Sequence, residues 1–220
     1  MGKVGVLTGR QKLILELVGG ENELYSRFYF TGGTALSEYY LKHRESVDLD
    51  FFSETQFDTQ MVATFLDEWA RVNNFKFSSE QVGPVFINQL DFGRGKKLKV
   101  DFVYFPHKQL EEGKIILGRG LKVDSLLDIA ANKLLAAIQR SEVKDYVDLY
   151  FLLQEFSVWD LREAVRVKFG RETDPLVIAS HLMLVEDFEY LPLMVKPLTL
   201  PELIEFYRQE AKKLGRTAVE

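Results

Sequence analysis

Two aspartates separated by a single residue are the most suggestive chemical feature of this chain. Asp48 and Asp50 lie in the run Val47–Ser53, whose apolar and aromatic residues predict a β-strand. Residues two apart on a strand point to the same face, so both carboxylates can converge on one cation. Because Mg²⁺ prefers carboxylate oxygen together with substrate phosphate, this spacing indicates a candidate magnesium site.

A glycine pair, Gly32 and Gly33, precedes the aspartates and opens a predicted helix that runs from Thr34 to Lys42. Glycine lets a backbone approach phosphate closely, and the N-terminus of a helix favours negative charge. A phosphate site beside a divalent-metal site is the arrangement that phosphoryl or nucleotidyl transfer requires. Each feature alone also fits a simpler interpretation, which is a tight turn for the glycines and solvent-facing strand residues for the aspartates.

A third carboxylate, Asp101, lies between apolar neighbours in a predicted strand from Leu98 to Phe105. Aspartate is an unusual choice at such a position unless it has a partner or a ligand. Three aspartates on adjacent strands could hold one or two Mg²⁺ ions, which leaves room for the charge of a triphosphate.

Charged residues at helical spacing form a second group. If one helix runs through the segment, a single stripe contains Lys133, Ala137, Arg140, Lys144 and Asp148. Arginine offers planar bidentate contacts to phosphate, and lysine acts as a point charge. The simpler interpretation is a solvated face with Lys144 and Asp148 as an ordinary i, i+4 pair.

Four cations surround the predicted turn Gly93–Gly95, and they are Arg94, Lys96, Lys97 and Lys99. With other basic residues they could contact an RNA backbone. A charged hairpin tip that keeps a strand edge from pairing explains them equally well. The three histidines show no spacing typical of metal ligands, although His43 lies next to Arg44 and near the aspartates.

The elements that must position these residues change character near residue 106. Before it, helices and strands alternate; the predicted helices not yet named are Gln11–Val18 and Asp58–Asn73, and the strands are Phe28–Phe30, Phe75–Ser79 and Val85–Phe92. After it, strand signals fade and helices are predicted from Asp124-Ser125 to Gln154 with a break near Ser141, and over Val158–Lys168, Asp174–Met183 and Pro201–Lys213. We therefore predict an α/β half, 1–106, and a helical half, 107–220.

Composition narrows the class of protein. The chain has 220 residues, 46% hydrophobic and 28% charged, which is typical of a globular protein. Its net charge of −5 argues against indiscriminate nucleic-acid binding but permits a local basic groove. It has no cysteine, which excludes disulfides and thiolate metal sites. With no signal-peptide pattern and no apolar run near the roughly 20 residues that span a bilayer, we expect a cytoplasmic protein without membrane contact.

Together these motifs resemble the AbiEii/AbiGii-type nucleotidyltransferases. The first motif of that family is similar to Gly32-Gly33-Thr34-Ala35-Leu36, followed by His43-Arg44, Ser46 and Asp48-Leu49-Asp50-Phe51-Phe52. Its later motifs are similar to Lys133-Leu134-Leu135-Ala136-Ala137 with Arg140, Lys144-Asp145 and Asp148-Leu149. The motifs occur in the same order as in the family and span about residues 28–153.

The resemblance implies an α/β (α+β) fold with a polymerase-β-like nucleotidyltransferase core and a mixed sheet, followed by a C-terminal helical domain that completes the active-site cleft. It implies metal-dependent transfer of NMP from an NTP to an acceptor hydroxyl, with Mg²⁺ or Mn²⁺ as cofactor and release of pyrophosphate. The expected acceptor is RNA, in particular the tRNA acceptor end. Many relatives are toxins paired with an antitoxin protein. A protein acceptor, or a non-catalytic nucleotide- or partner-binding module, is the alternative.

Carried onto this sequence, the resemblance implies that Asp48 and Asp50 bind metal, with Asp101 as a third metal-binding carboxylate. Nucleotide contacts are implied for Gly32, Gly33, Thr34, Arg44, Ser46, Lys133 and Arg140. Lys133 and an aspartate of the later motif, Asp145 or Asp148, would serve catalysis, and both aspartates remain candidates. The wider superfamily often has Gly-Ser where this chain has Gly32-Gly33-Thr34, so Thr34 is the candidate for the required hydroxyl.

Overall fold

A computed structural model describes residues 6–116 and 120–217 of the protein. These residues group into two compact units. The first comprises the described residues of Met1–Tyr40, Ser46–Lys108 and Glu112–Ser125, and the second comprises Leu41–Glu45, Gln109–Glu111 and the described residues of Leu126–Glu220. The predicted domains, 1–106 and 107–220, stay a prediction. Within the described ranges, no helix has the length and apolar character needed to cross a membrane.

The described part of the first unit contains a seven-stranded mixed sheet in the order β3-β4-β5-β2-β1-β7-β6. The strands are β1 (Tyr29–Thr31), β2 (Leu49–Ser53), β3 (Lys76–Val82), β4 (Val85–Asp91), β5 (Lys97–Tyr104), β6 (Lys114–Ile115) and β7 (Lys122–Val123). β2 is parallel to β5 and β1 is parallel to β7, whereas the other neighbours are antiparallel. A mixed sheet combined with helices confirms the predicted α+β class.

The predicted glycine motif opens one of the helices of the first unit. They are α1 (Gly9–Gly20), α2 (Asn22–Tyr25), α3 (Gly32–Leu36) and α4 (Thr59–Asn73), and α3 continues into a π-helical turn, Ser37–Leu41. Asp58 caps α4 by accepting a hydrogen bond from the Gln60 N–H, and the left-handed Asn74 follows its last residue. The helices predicted over Gln11–Val18 and Asp58–Asn73 are therefore confirmed, with small differences at their ends.

The core of the first unit fixes which way the aspartates face. Phe51 of β2 and Phe102 of β5 are fully buried and stack with ring centroids 5.2 Å apart. Because side chains alternate along a strand, Asp50 and Asp101, which precede these two phenylalanines, lie on the opposite face of the sheet. The same burial that stabilises the sheet thus directs the carboxylates away from the aromatic core.

The short strands β6 and β7 correct the expectation that strands end near residue 106. β7 extends the sheet beyond β1 through only two residue pairs, Tyr29 with Lys122 and Phe30 with Val123. Two residues are too few to produce a period-2 hydrophobic pattern. Only pairing with a distant strand reveals them, so the sequence pattern did not indicate them.

Five helices make up most of the described second unit, and they are α5 (Leu126–Gln139), α6 (Val143–Leu152), α7 (Val158–Phe169), α8 (Pro175–Leu182) and α9 (Leu200–Thr217). The predicted break near Ser141 is confirmed, because α5 ends before it and α6 begins after it. The predicted single-helix stripe is therefore wrong as a continuous surface. Lys144 lies 3.5 Å from Glu142 instead of contacting Asp148.

A buried pair of tyrosines fixes α6 within the second unit. The Tyr207 hydroxyl donates to the Tyr146 carbonyl at 2.6 Å, and the Tyr146 hydroxyl donates to the His181 carbonyl at 2.5 Å. The two rings pack edge to face with centroids 5.4 Å apart. Since both hydroxyls are satisfied, these large side chains fill the core without the cost of a buried unpaired polar group. They also hold in place the helix that carries Asp145 and Asp148.

Candidate active site

The glycine turn and the second aspartate of the first motif lie directly against each other. Thr31, the last residue of β1, is paired with Asp50 of β2, and Gly32 follows with a φ of 76°. A Cβ atom added to Gly32 would stand 2.2 Å from Asp50 Oδ2. Both the left-handed backbone and the lack of space therefore require glycine here. The absent side chain leaves the backbone of the turn beside the carboxylate.

The Thr34 hydroxyl ties α3 to the segment that carries the aspartates. It donates to the carbonyl oxygen of Asp48, and Thr34 is almost completely buried. From the other side, the Gln11 side-chain amide donates to the Ser46 carbonyl at 2.9 Å and to the Val47 carbonyl at 3.2 Å. These contacts fix the backbone just before β2 and hence the direction in which Asp48 and Asp50 leave it.

Asp124 is a buried carboxylate near the glycine turn that the sequence patterns did not single out. Its Oδ2 accepts from the Thr31 hydroxyl at 2.8 Å, and its carbonyl accepts from the Tyr40 hydroxyl at 2.6 Å. In sequence it immediately precedes a helix start, where aspartate normally indicates a cap. From the sequence alone, Asp124 is explained as a helix cap. Its position beside β1 follows only from the pairing of β1 with β7.

Asp101 completes a group of three carboxylates in the first unit. It is directly paired with Asp50 across the parallel strands β5 and β2, and it is 6% exposed. Its Oδ2 accepts from Lys99 Nζ at 2.5 Å, whereas its buried Oδ1 has no hydrogen-bond partner among the described residues. Burial raises the pKa of Asp101, and the opposing effect of Lys99 is smaller.

Lys99 is the cation that these carboxylates share. Burial acts to lower the pKa of Lys99, but the hydrogen bond to Asp101 and the negative charges of Asp101, Asp48 and Asp50 outweigh it and raise that pKa. The lysine therefore stays charged and offsets part of the negative charge on this part of the sheet. The sequence patterns placed Lys99 only with the basic turn, because its contact with Asp101 follows from their common strand face.

The chemistry of this group fits an oxygen-liganded divalent cation. All the side chains that could act as ligands are carboxylates, which Mg²⁺ and Mn²⁺ prefer. The unpaired Oδ1 of Asp101 is a buried acceptor that costs about 1–3 kcal/mol while it remains unsatisfied. Over the residues that the structure describes, no three Asp, Glu or His side chains already stand close enough together to hold a metal ion. The metal-binding roles of Asp48, Asp50 and Asp101 stay predictions.

Asp148 is the centre of a buried charge cluster in the second unit. Its Oδ1 accepts from Arg44 Nε at 2.6 Å and lies 2.7 Å from His43 Nε2. Its Oδ2 accepts from an Arg44 terminal nitrogen at 2.8 Å and lies 2.7 Å from Lys133 Nζ. Burial acts against ionisation, but Lys133 and Arg44 hold the pKa of Asp148 well below its usual range. With two partners on each oxygen, this carboxylate orients its neighbours.

Lys133 bridges the two aspartates of the later motif. Its Nζ lies 2.7 Å from Asp145 Oδ1 as well as 2.7 Å from Asp148 Oδ2, and Lys133 is 8% exposed. Burial acts to lower the pKa of Lys133, but both aspartates outweigh it and raise that pKa. Arg140 donates to the other oxygen of Asp145 at 2.8 Å. An ammonium group has three N–H donors, of which these contacts use two.

Arg44 and His43 reach this cluster on a short segment that pairs with a distant loop. The carbonyl of His43 accepts from the Val195 N–H at 2.8 Å and from the Lys196 N–H at 2.9 Å, while the Glu45 N–H donates to the Leu193 carbonyl at 2.8 Å. Burial lowers the pKa of His43 despite the nearby Asp148. A neutral imidazole therefore donates from Nε2 to the ionised carboxylate. No sequence periodicity indicated the pairing of Arg44 with Asp148.

The structure thus brings the predicted residues together in two groups. The first unit gathers Gly32, Gly33, Thr34, Ser46, Asp48, Asp50 and Asp101, and the second gathers Arg44, Lys133, Arg140, Asp145 and Asp148. Lys144 belongs to neither group. The roles assigned to these residues stay predictions.

The mixed sheet and its helices have the fold of solved nucleotidyltransferase structures. A Helicobacter pylori protein whose structure was assigned to the nucleotidyltransferases superposes with a TM-score of 0.60 at 20% identity, covering 96% of this chain and 97% of that one. MenT4, a nucleotidyltransferase toxin from Mycobacterium tuberculosis H37Rv, superposes with a TM-score of 0.58 at 19% identity, covering 93% and 82%. At these identities the likeness shows the fold alone.

The sequence itself shows the family. The profile of the family described as nucleotidyl transferase AbiEii toxin, type IV TA system, matches residues 17–218. The chain belongs to the AbiEii family, which confirms the resemblance of its motifs, and it is a nucleotidyltransferase. An uncharacterized protein of Aquifex aeolicus (strain VF5) is 33% identical over 164 residues, which are 73% of this chain and 74% of that protein.

Proposed function

We propose that this protein transfers a nucleoside monophosphate from an NTP to a hydroxyl group of RNA, with the acceptor end of tRNA as the target. We also propose that it acts as the toxin of a toxin–antitoxin pair and is held in check by a cognate antitoxin protein. Membership of the AbiEii family supports both proposals. The observation that carries the catalytic proposal is that Gly32 lies directly against Asp50, which is paired with Asp101 on the neighbouring strand.

In the first unit, Asp48 and Asp50 are the proposed ligands of Mg²⁺ or Mn²⁺, with Asp101 as the third. When bound, such a cation neutralises phosphate charge and makes an acceptor hydroxyl easier to ionise. Gly32 brings the turn directly against the Asp50 carboxylate, and the backbone N–H groups of the turn Gly32-Gly33 are the proposed contacts for triphosphate oxygens. Thr34 and Ser46 hold the surrounding backbone through the hydrogen bonds of the Thr34 hydroxyl and the Ser46 carbonyl.

In the second unit, Lys133 is the proposed phosphate contact and Arg140 is a second one. The geometry that supports this proposal is the third N–H of Lys133, which the contacts to Asp145 and Asp148 do not use. Arg140 is about half exposed, so its guanidinium can reach an anion in solvent. Asp145 and Asp148 then act as positioning residues for Lys133, and Arg44 supports Asp148 through its bidentate contact.

The catalytic proposal is tested with α-labelled NTPs. The purified protein is incubated with each NTP, Mg²⁺ or Mn²⁺, and total cellular RNA. Label in a discrete RNA band that is lost in Asp50→Asn, but kept in Asp67→Asn, supports the proposal. Asp67 is a matched control because it is an exposed aspartate on α4 of the same unit. Label on protein contradicts the RNA acceptor, and NTP binding without any transfer indicates a binding module.

The toxin proposal is tested by induced expression in a bacterial host. We expect growth arrest with the wild-type chain and normal growth with Asp50→Asn at equal protein levels. Growth arrest by both forms would show that toxicity does not come from nucleotidyl transfer. Normal growth with an active wild-type enzyme would contradict the toxin role while leaving the transfer reaction intact.

A further inference from the structure

Strands β3, β4 and β5 present a polar face that continues the face bearing Asp101. Three rows cross this face, and each row takes one residue from each of the three strands. The first row is Lys76, Asp91 and Lys97, the second is Ser78, Gln89 and Lys99, and the third is Glu80, Ile87 and Asp101. Residues two apart on a strand share a face, and the contact between Lys99 and Asp101 agrees with this. The polar rows therefore lie beside the carboxylate group on one continuous surface of the first unit.

This face is open, whereas the opposite face is core. Leu98, Val100 and Phe102 of β5 are at most 4% exposed, while the alternate residue Lys97 is exposed. The open face contains a shallow concavity of about 350 Å³, and its polar lining consists of Lys76, Ser78, Gln89, Asp91 and Lys97. That volume lies near the lower end of the roughly 300–1,000 Å³ typical of small-molecule sites.

The outermost row of this face contains two lysines and one aspartate. Lys76 and Lys97 flank Asp91 from either side in the register. Across the described residues, neither lysine forms an ion pair, and Asp91 Oδ1 instead accepts from the Gly93 N–H at 2.8 Å. The row therefore carries an excess of one positive charge. Arg94 and Lys96 in the adjoining turn are also exposed, and they increase the positive potential at this end of the face.

The charge changes sign along the face. The row of Asp101 is acidic, the row of Lys99 is mixed, and the row of Lys76 and Lys97 is basic. Adjacent rows are about 7 Å apart along the strands, because each residue advances the chain by about 3.4 Å. A polyanion that carries the reacting hydroxyl at its end would match this order of charges. Its reacting end would lie at the carboxylates, and the phosphates that precede this end would lie over the lysines.

We propose that this face binds the acceptor polynucleotide of the transfer reaction, holding the phosphates that precede its reacting end. The proposal rests on the proposed RNA acceptor. Lys76 and Lys97 contact phosphates, and Ser78 and Gln89 offer hydrogen bonds to sugars or base edges. The three polar rows carry no aromatic side chain, and the aromatic residue that lines the concavity is Phe77, so the surface on which bases could stack is small. Binding is therefore driven by phosphate contacts, with little dependence on base sequence.

The test is RNA binding by a double variant, Lys76→Gln with Lys97→Gln, measured by fluorescence anisotropy with labelled tRNA and with a short single-stranded oligoribonucleotide. The matched control is Lys12→Gln with Lys108→Gln, which removes two exposed lysines of the same unit away from this face. We expect roughly tenfold weaker binding only in the first variant. Its slope of log K against log salt should fall by about 1.4, because each single-strand phosphate contact contributes about 0.7.

Kinetics and a charge-retaining variant complete the test. The double glutamine variant should show a higher KM for RNA, with kcat and the affinity for NTP unchanged, and Lys76→Arg with Lys97→Arg should restore binding. If the wild-type protein labels RNA but the glutamine variant binds with wild-type affinity and salt slope, this inference is overturned and the proposed function stands. If the wild-type protein neither binds nor labels RNA, both fail together. Equal losses in the control variant would also overturn the inference.

Discussion

Replacing Gly32 with alanine should abolish transfer at a modest cost in stability. The substitution imposes a left-handed φ on a residue with a side chain, which costs about 1–2 kcal/mol. Its Cβ would also lie 2.2 Å from Asp50 Oδ2 and 2.9 Å from Asp50 Cγ. Because real Cβ contacts are never that short, the carboxylate has to rotate away from the turn.

Gly83 provides a matched control for the backbone effect alone. It has a φ of 55° in the turn between β3 and β4, and a Cβ added there meets no atom within 4 Å. Both alanine variants should therefore lower Tm by several degrees, since each kcal/mol shifts Tm by about 2–4 °C in a chain of this size. Only Gly32→Ala should displace Asp50.

The assay compares three quantities for both variants, namely Tm, Mn²⁺ affinity measured by titration, and the rate of NMP transfer. Gly83→Ala should keep wild-type Mn²⁺ affinity and transfer, whereas Gly32→Ala should lose both. Wild-type transfer in Gly32→Ala would refute the reasoning, because it would mean that the position of the Asp50 carboxylate beside the turn is not needed. Equal losses of transfer in both variants would point to backbone strain instead.

Three further predictions concern the buried charges of the second unit. Asp148→Asn should lower the free energy of unfolding by about 3–5 kcal/mol, because Arg44 and Lys133 lose a fully buried partner. Chemical denaturation measures this change, and a loss below 1 kcal/mol would contradict the stabilising role of the buried charge cluster. The pKa of Asp148 is lowered in the folded protein, so the stability that its charge contributes is fully present above the unfolded pKa of about 3.9 and declines as pH falls below it. The difference in free energy of unfolding between wild type and Asp148→Asn should therefore shrink below about pH 4. A constant difference down to pH 2 would show that Asp148 is not ionised in the folded protein. Lys168→Met should also lower the free energy of unfolding by about 3–5 kcal/mol, because it removes the ammonium group that lies 2.6 Å from the fully buried Asp128. The control Arg166→Met, which removes an exposed ion pair, should leave Tm near the wild-type value.

Residues whose neighbours lie close in sequence could be predicted from the pattern. The strand of Asp50, which begins one residue after Asp48, the helix at the glycine pair and the break near Ser141 all depend on local periodicity and turn residues. The order of the two motifs then identified the family. For these features, the interactions that determine the structure act within a few turns of chain, so a single sequence contains the information.

The remaining features depend on partners that are far apart in the chain. If one helix ran through the segment, Lys133 would share a stripe with Lys144 and Asp148. In the structure Lys133 contacts Asp148 and Asp145 of the next helix, whereas Lys144 lies beside Glu142. The bidentate contact of Arg44 with Asp148 joins residues separated by 104 positions, and Asp124 reaches Thr31 through sheet pairing. Side-chain periodicity within one element carries no information about which other element packs against it.

The placement of Leu41–Glu45 in the second unit has a consequence for how the chain can be divided. A fragment that begins at residue 126 would retain Asp148 and Lys133 but would lack Arg44 and His43, so two buried partners of Asp148 would be missing. The helical unit is therefore not a portable module that gene fusion or truncation can transfer intact. During synthesis, Arg44 can pair with Asp148 only after about a hundred further residues have been made. Such long loop closure slows folding, so the cluster around Asp148 forms only after both segments have been synthesised.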